Sequence, residues 1–145
     1  MTTKADEVQI AISISATAHL GQRYGNKDYF GGHICKVVDN VFEMDASADA
    51  AIVAYLHDVV EDTKMTSEKL GELGISSENV ERVSLLSRKK RQSEEDYLAS
   101  IQKDEVALKV KIADSLANLS QCLYDNNHTK AQKYIRIIKS LTNGG

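Results

Sequence analysis

The stretch Tyr55-Leu56-His57-Asp58-Val59-Val60-Glu61-Asp62-Thr63 sets four ionisable side chains, His57, Asp58, Glu61 and Asp62, at the end of an apolar run that begins near Ala48. Read as one continuous helix, it puts His57 and Glu61 one turn apart on one face, and Asp58 and Asp62 on a second face about 100° away. Leu56, Val59 and Val60 fill much of the remaining circumference and need an apolar partner. A solvated helix balances such acids with Lys or Arg at helical spacing. Here no base occurs between Met44 and Lys64. Two readings follow. Either the helix is partly exposed with an acidic edge, or it is buried and its acceptor groups share a counter-charge, for which a divalent cation serves.

The rest of the chain reads as helices. Proline is absent, and glycines at Gly21, Gly25, Gly31-Gly32, Gly71 and Gly74 provide the interruptions. Residues 5–20 carry Val8, Ile10, Ile12 and Ile14 in alternation, a strand pattern, but the same residues are also spaced by four and the run continues unbroken, which favours a helix. Residues 21–32 read as a polar and aromatic loop. A second helix is expected from His33 to about Met44 with Val37, Val38, Val41 and Phe42 inward. Ser47 caps the central helix, Thr66 or Ser67 a short one stopped by Gly74, Ser76 or Ser77 the next, and Ser93 another in which Asp96 takes the place of the usual capping-box Glu. Residues 104–124 form the strongest long helix, apolar nearly all round through Val106, Leu108, Val110, Ile112, Leu116, Leu119 and Leu123, the mark of a buried helix. A last helix over about 129–141 carries Ala131, Tyr134, Ile135, Ile138 and Leu141 at helical spacing, and no hairpin signal stands inside the chain. The expected fold is all-α, one domain over residues 1–145 with about six to eight helices.

Composition narrows the classes. A net charge of −3 gives no support to general nucleic-acid binding. No apolar run is long enough for a membrane span, and the N-terminus lacks the apolar core of a signal peptide. Cys35 and Cys122 form no Cys-x-x-Cys pair and read as small packed residues in a reducing compartment, the cytoplasm.

Beyond the central stretch, Asp114 lies on the apolar helix within Val-Lys-Ile-Ala-Asp-Ser-Leu-Ala-Asn. A carboxylate on that face must be paired or bound to metal. An ion pair with Lys111 and a ligand role are equally good readings. His33 follows two glycines and is by itself a helix-start histidine half in solvent. His128 reads as exposed, and His19 as packed or bonded locally. Taken together, His33, His57, Asp58 and Asp114 make a set of two nitrogens and two oxygens suited to Mn²⁺, Fe²⁺ or Zn²⁺, with open positions for water or substrate.

His33, then His57-Asp58, then Asp114 resembles the H…HD…D pattern of the HD-domain metal-dependent phosphohydrolases. Leu56 to Thr63 is similar to the signature of the guanosine tetraphosphate (ppGpp) hydrolase domains of the RelA/SpoT family. Ala18-His19-Leu20-Gly21-Gln22 resembles that family's Ala-His-x-Gly-Gln, and Val110 to Asn118 its Val-Lys-Leu-Ala-Asp-Arg-Leu-His-Asn. The resemblance implies an all-α hydrolase in which His33, His57, Asp58 and Asp114 hold Mn²⁺, Glu61 and Asp62 are the catalytic carboxylates, and Asn118 contacts a nucleotide substrate near the metal. A divalent cation there would acidify water and polarise a phosphoryl oxygen, and a carboxylate one turn away can take the proton.

The departures bear on substrate. Where the family carries Arg-Lys-Ser-Gly-Glu-Pro-Tyr, this chain has Tyr24 to Phe30, leaving Arg23 and Lys27 as replacement phosphate donors beside Lys111 and Asn118. The family's Pro after the histidine is Ile34, and its Arg and His in the third motif are Ser115 and Ala117. The chain resembles the small stand-alone hydrolases more than the long bifunctional enzymes. A nucleoside monophosphate phosphatase or general phosphomonoesterase remains a rival, as does a nucleotide-binding module without turnover. The basic run Arg88-Lys89-Lys90-Arg91 reads either as a solvated loop or as an overhang that attracts a polyphosphate.

Overall fold

A computed structural model describes residues 2–143. Its helices are α1 (Lys4–Ala18), α2 (Cys35–Met44), α3 (Ala48–Leu56), the single turn α4 (Val59–Asp62), α5 (Ser67–Glu72), α6 (Ser77–Leu86), α7 (Glu94–Ile101), α8 (Glu105–Tyr124) and α9 (His128–Thr142). The all-α expectation holds, and the ambiguous stretch over residues 5–20 is helical as far as Ala18. The predicted caps act as caps. Ser47, Thr66, Ser76 and Ser93 each accept a backbone N–H from the third residue on, satisfying donors that the first turn leaves free.

α3 is the hub. Its residues Ile52, Val53, Ala54 and Leu56 are fully buried, and α1, α2, α6 and α8 pack around it. α9 covers α8. α1 is fastened to α6 through Glu7, whose Oε2 accepts from the Ser76 N–H at 3.1 Å, the Ser76 hydroxyl at 3.0 Å and Asn79 Nδ2 at 2.9 Å. Burial favours protonation of Glu7, but the bonds from Asn79 and Ser76, with Lys4 at 3.0 Å, prevail and hold its pKa below the ordinary 4.5.

Four expectations are corrected. The central helix is not continuous. It ends at Leu56, turns through His57 and Asp58, and restarts at Val59. His57 Nδ1 donates to the Ala54 carbonyl at 2.7 Å, taking a backbone acceptor from the helix, and Asp58 sits at φ −105°, ψ −3°. The polar loop contains a small hairpin, β1 (Arg23–Tyr24) against β2 (Lys27–Asp28), in which Gly25 takes the left-handed φ of +61° that a two-residue turn demands at its first position. The second helix starts later than His33, because Phe30–Ile34 forms a π-helical turn closed by the Cys35 N–H on the Phe30 carbonyl. Lastly, several residues expected inside face out. Phe42, Leu116, Leu123 and Ile135 are exposed, while the small residues Ala107, Ala113 and Ala117 and the unpredicted Ile137 are buried. The buried face of α8 is therefore narrow and small-residue-lined, which lets α2, α3 and α9 approach it.

Candidate functional site

Three segments bring the acids and histidines together. The π-helical turn carries His33, the turn after α3 carries His57 and Asp58, and the middle of α8 carries Asp114. His33, His57 and Asp114 are buried and Asp58 is nearly so. One potential ligand atom from each lies within 4.8 Å of the others. His33 Nε2 is 2.9 Å from Asp114 Oδ1 and 3.8 Å from Asp58 Oδ2. His57 Nε2 is 3.1 Å from Asp58 Oδ2 and 3.4 Å from Asp114 Oδ1.

The donor set fits a divalent cation. His57 Nδ1 is committed to the Ala54 carbonyl, which leaves Nε2 directed at two carboxylate oxygens, yet that buried nitrogen makes no hydrogen bond of its own. Two buried carboxylates facing two imidazoles need positive charge between them. Without a cation the His57 imidazole supplies it. Burial alone would lower the His57 pKa, but Asp58 and Asp114 raise it well above 6.5. Burial likewise pushes both carboxyls up, and their partners reverse it. His57 holds Asp58 below its ordinary range, and Lys111 with both histidines holds Asp114 well below.

The two readings of Asp114 prove to be compatible, because its oxygens divide the work. Oδ1 faces the histidines, and Oδ2 accepts from Lys111 Nζ at 3.2 Å. Lys111 stays charged, since Asp114 outweighs the cost of its burial and raises its pKa. Asn118 Nδ2 donates to Asp114 Oδ1 at 3.3 Å, and Asn118 Oδ1 accepts from the Tyr24 hydroxyl at 2.8 Å.

Glu61 and Asp62 stand at the exposed rim. Partial desolvation and the charge of Asp58 raise both pKa values above the ordinary carboxylate range. Glu61 Oε1 accepts from the Arg88 N–H at 3.3 Å and opens into a cleft of about 210 Å³ that Arg88, Lys111, Lys133 and Asn118 also line. Arg23 and Lys27 lie elsewhere, on the hairpin at the mouth of a cavity of about 550 Å³ that reaches Asn118 from the other side. Lys27 Nζ donates to Gln121 Oε1 at 3.3 Å. The basic run is split. Arg88 faces the cleft, while Lys89 Nζ donates to the Ser84 carbonyl at 2.6 Å and the Ser87 carbonyl at 3.0 Å, closing the end of α6.

Sequence reasoning missed Tyr24, Tyr29 and Lys133. The two tyrosine rings flank His33, with centroids 4.8 Å and 5.2 Å from it, and the Tyr29 hydroxyl donates to Asp58 Oδ2. Their one signal was a cluster of three aromatics, Tyr24, Tyr29 and Phe30, in an otherwise polar loop ahead of a histidine.

No family model matches the chain, and no curated protein matches it. Among solved structures the chain is similar to one described as a metazoan ortholog of SpoT that hydrolyzes ppGpp and plays a role in starvation responses. The TM-score is 0.71 over 93% of this chain and 86% of that one, at 20% sequence identity. The two share a fold. It is the all-α fold that the H…HD…D pattern implies. No helix among the described residues is long and apolar enough to cross a membrane.

Proposed function

We propose that the protein is a divalent-metal-dependent phosphohydrolase acting on a phosphorylated nucleotide, with ppGpp as the first candidate and the 3′-pyrophosphate as the group removed. The observation that carries this reading is the convergence of His33, His57, Asp58 and Asp114 within 4.8 Å, next to two carboxylates with raised pKa values and a basic cleft. Mn²⁺ is the cation proposed, because two imidazoles and two carboxylates suit it and no thiol joins the set. The fold shared with a protein described as hydrolysing ppGpp points the same way.

Each residue has a role in this reading. His33, His57, Asp58 and Asp114 hold the cation, which when bound supplies Lewis-acid stabilisation of phosphoryl charge. Glu61 or Asp62 takes a proton from the attacking water. The raised pKa values make them better bases than ordinary surface carboxylates. Water adds to the phosphorus on the ribose 3′ oxygen, that P–O bond breaks, the ribose oxygen gains a proton, and GDP and pyrophosphate leave. Arg88, Lys111 and Lys133 offer positive charge to phosphate oxygens in the cleft, and Asn118 sits between the cleft and the larger cavity. Arg23 and Lys27 border that cavity and contact the part of the nucleotide remote from the reacting phosphorus. A cytoplasmic setting suits the two unpaired cysteines.

A rival reading keeps the metal and changes the substrate to a nucleoside monophosphate, because the family's paired bases are lost from their positions and Arg23 and Lys27, which stand near, are both exposed. Product analysis with Mn²⁺ and a panel of ppGpp, nucleoside 5′-monophosphates and triphosphates separates them. Pyrophosphate from ppGpp alone supports the first reading. Inorganic phosphate from monophosphates replaces it with the second, and tight nucleotide binding without turnover would mark a binding module.

A further inference from the structure

Asp58 directly precedes α4, but its backbone is helical, at φ −105° and ψ −3°, and not the extended form from which an N-cap aspartate accepts from the helix's free N–H groups. It makes no such bond. Its Oδ2 instead accepts from the Tyr29 hydroxyl and faces His57 Nε2. Tyr29 is well placed to hold it there. Its ring is nearly buried, with centroids 4.9 Å from His19, 5.2 Å from His33 and 6.0 Å from Tyr24. Its backbone N–H donates to the Gln22 carbonyl at 2.9 Å, and His19 is itself anchored by Gln22 at 2.7 Å. The hydroxyl is thus fixed by packing that does not involve Asp58.

We propose that Tyr29 is a positioning residue, whose hydroxyl keeps the Asp58 carboxylate turned toward His33, His57 and Asp114. This rests on the metal-site reading above. No cap bond holds the Asp58 carboxylate, so it is the Tyr29 O–H that selects the orientation facing the cluster. A partner that orients a ligating carboxylate is worth about 10–100-fold in metal affinity.

The test is direct titration of the metal-stripped protein with Mn²⁺, for wild type, Tyr29→Phe and Tyr24→Phe, with the melting temperature of each metal-free protein. Phe keeps the ring and removes only the hydroxyl. The expected result for Tyr29→Phe is a Kd for Mn²⁺ raised about tenfold or more, with the metal-free protein still melting cooperatively, so that the loss is read in metal affinity and not in folding. Tyr24→Phe, whose hydroxyl serves Asn118, should keep the wild-type Kd within about twofold. A second readout needs no variant: with Zn²⁺ bound, the Tyr29 hydroxyl proton should persist in the proton NMR spectrum as a slowly exchanging resonance. A Kd unchanged in Tyr29→Phe, an equal loss in both tyrosine variants, or loss of that resonance on Zn²⁺ binding would overturn the proposal while leaving the metal site standing. A wild-type protein that binds no divalent cation would overturn both.

Discussion

At the scale of single residues, the site separates groups that hold charge from groups that move protons. Asp114 gives Oδ1 to the histidines and Oδ2 to Lys111, so it cannot also serve as a base. Glu61 and Asp62 lie at the rim with raised pKa values and are free to do so. Asp58→Ala should therefore abolish Mn²⁺ binding and activity together. Glu61→Gln and Asp62→Asn should keep Mn²⁺ binding, and whichever residue is the base should lose about 10²–10⁴ in kcat. Calorimetric titration beside steady-state kinetics distinguishes the two patterns. His57, Asp58 and Asp114 were readable in the chain because a charged or imidazole group on an apolar stripe carries a physical cost that demands a partner, whereas His33 gained meaning only in combination with those three. Tyr24 and Tyr29 carry no such cost in a loop, so the aromatic character of that loop did not by itself mark them as site residues.

Among the elements, most helix starts were legible because Ser, Thr and Asp announce them chemically. The π-helical turn and the break after Leu56 were not, because each depends on a tertiary partner. The break needs the His57 bond to Ala54, and the turn needs the hairpin beneath it. Gly32 marks that dependence, since a Cβ there would lie 2.7 Å from Lys27 Cβ. Gly32→Ala should destabilise the protein by about 1–3 kcal/mol in denaturant titration. The Glu7 bonds make a second prediction. Its folded pKa lies below the unfolded 4.5, so its contribution is fully present above pH 4.5 and is lost as pH falls through the lower folded value. Glu7→Gln should cost about 2 kcal/mol near neutral pH, and the gap to wild type should close as the pH falls below 4.5. A gap independent of pH would show that the shape of the side chain matters and its charge does not.

For the molecule as a whole, the charge is −3, yet the cleft beside Glu61 sets three bases, Arg88, Lys111 and Lys133, against two acids, Glu61 and Glu94. A local positive field on an acidic protein concentrates a polyphosphate where it is needed and weakens with salt. Arg88→Gln should raise KM more at low ionic strength than at high. Lys90→Gln, in the exposed part of the run, should change KM little at either. The all-α class was readable from periodicity together with the length of the unbroken run over residues 5–20, whose alternation alone suggests a strand. The packing was not, since α8 buries alanines and exposes leucines that hydrophobicity placed inside. Shape is shared with a protein only 20% identical, so the arrangement of helices around α3 tolerates wide change in sequence. The measurement that bears most directly on the central claim is pyrophosphate release from ppGpp by metal-stripped wild type, before and after addition of Mn²⁺, with Asp58→Ala alongside. Release that appears only with Mn²⁺ and is absent from Asp58→Ala is the result predicted. Release without any divalent cation, or undiminished in Asp58→Ala, would contradict it.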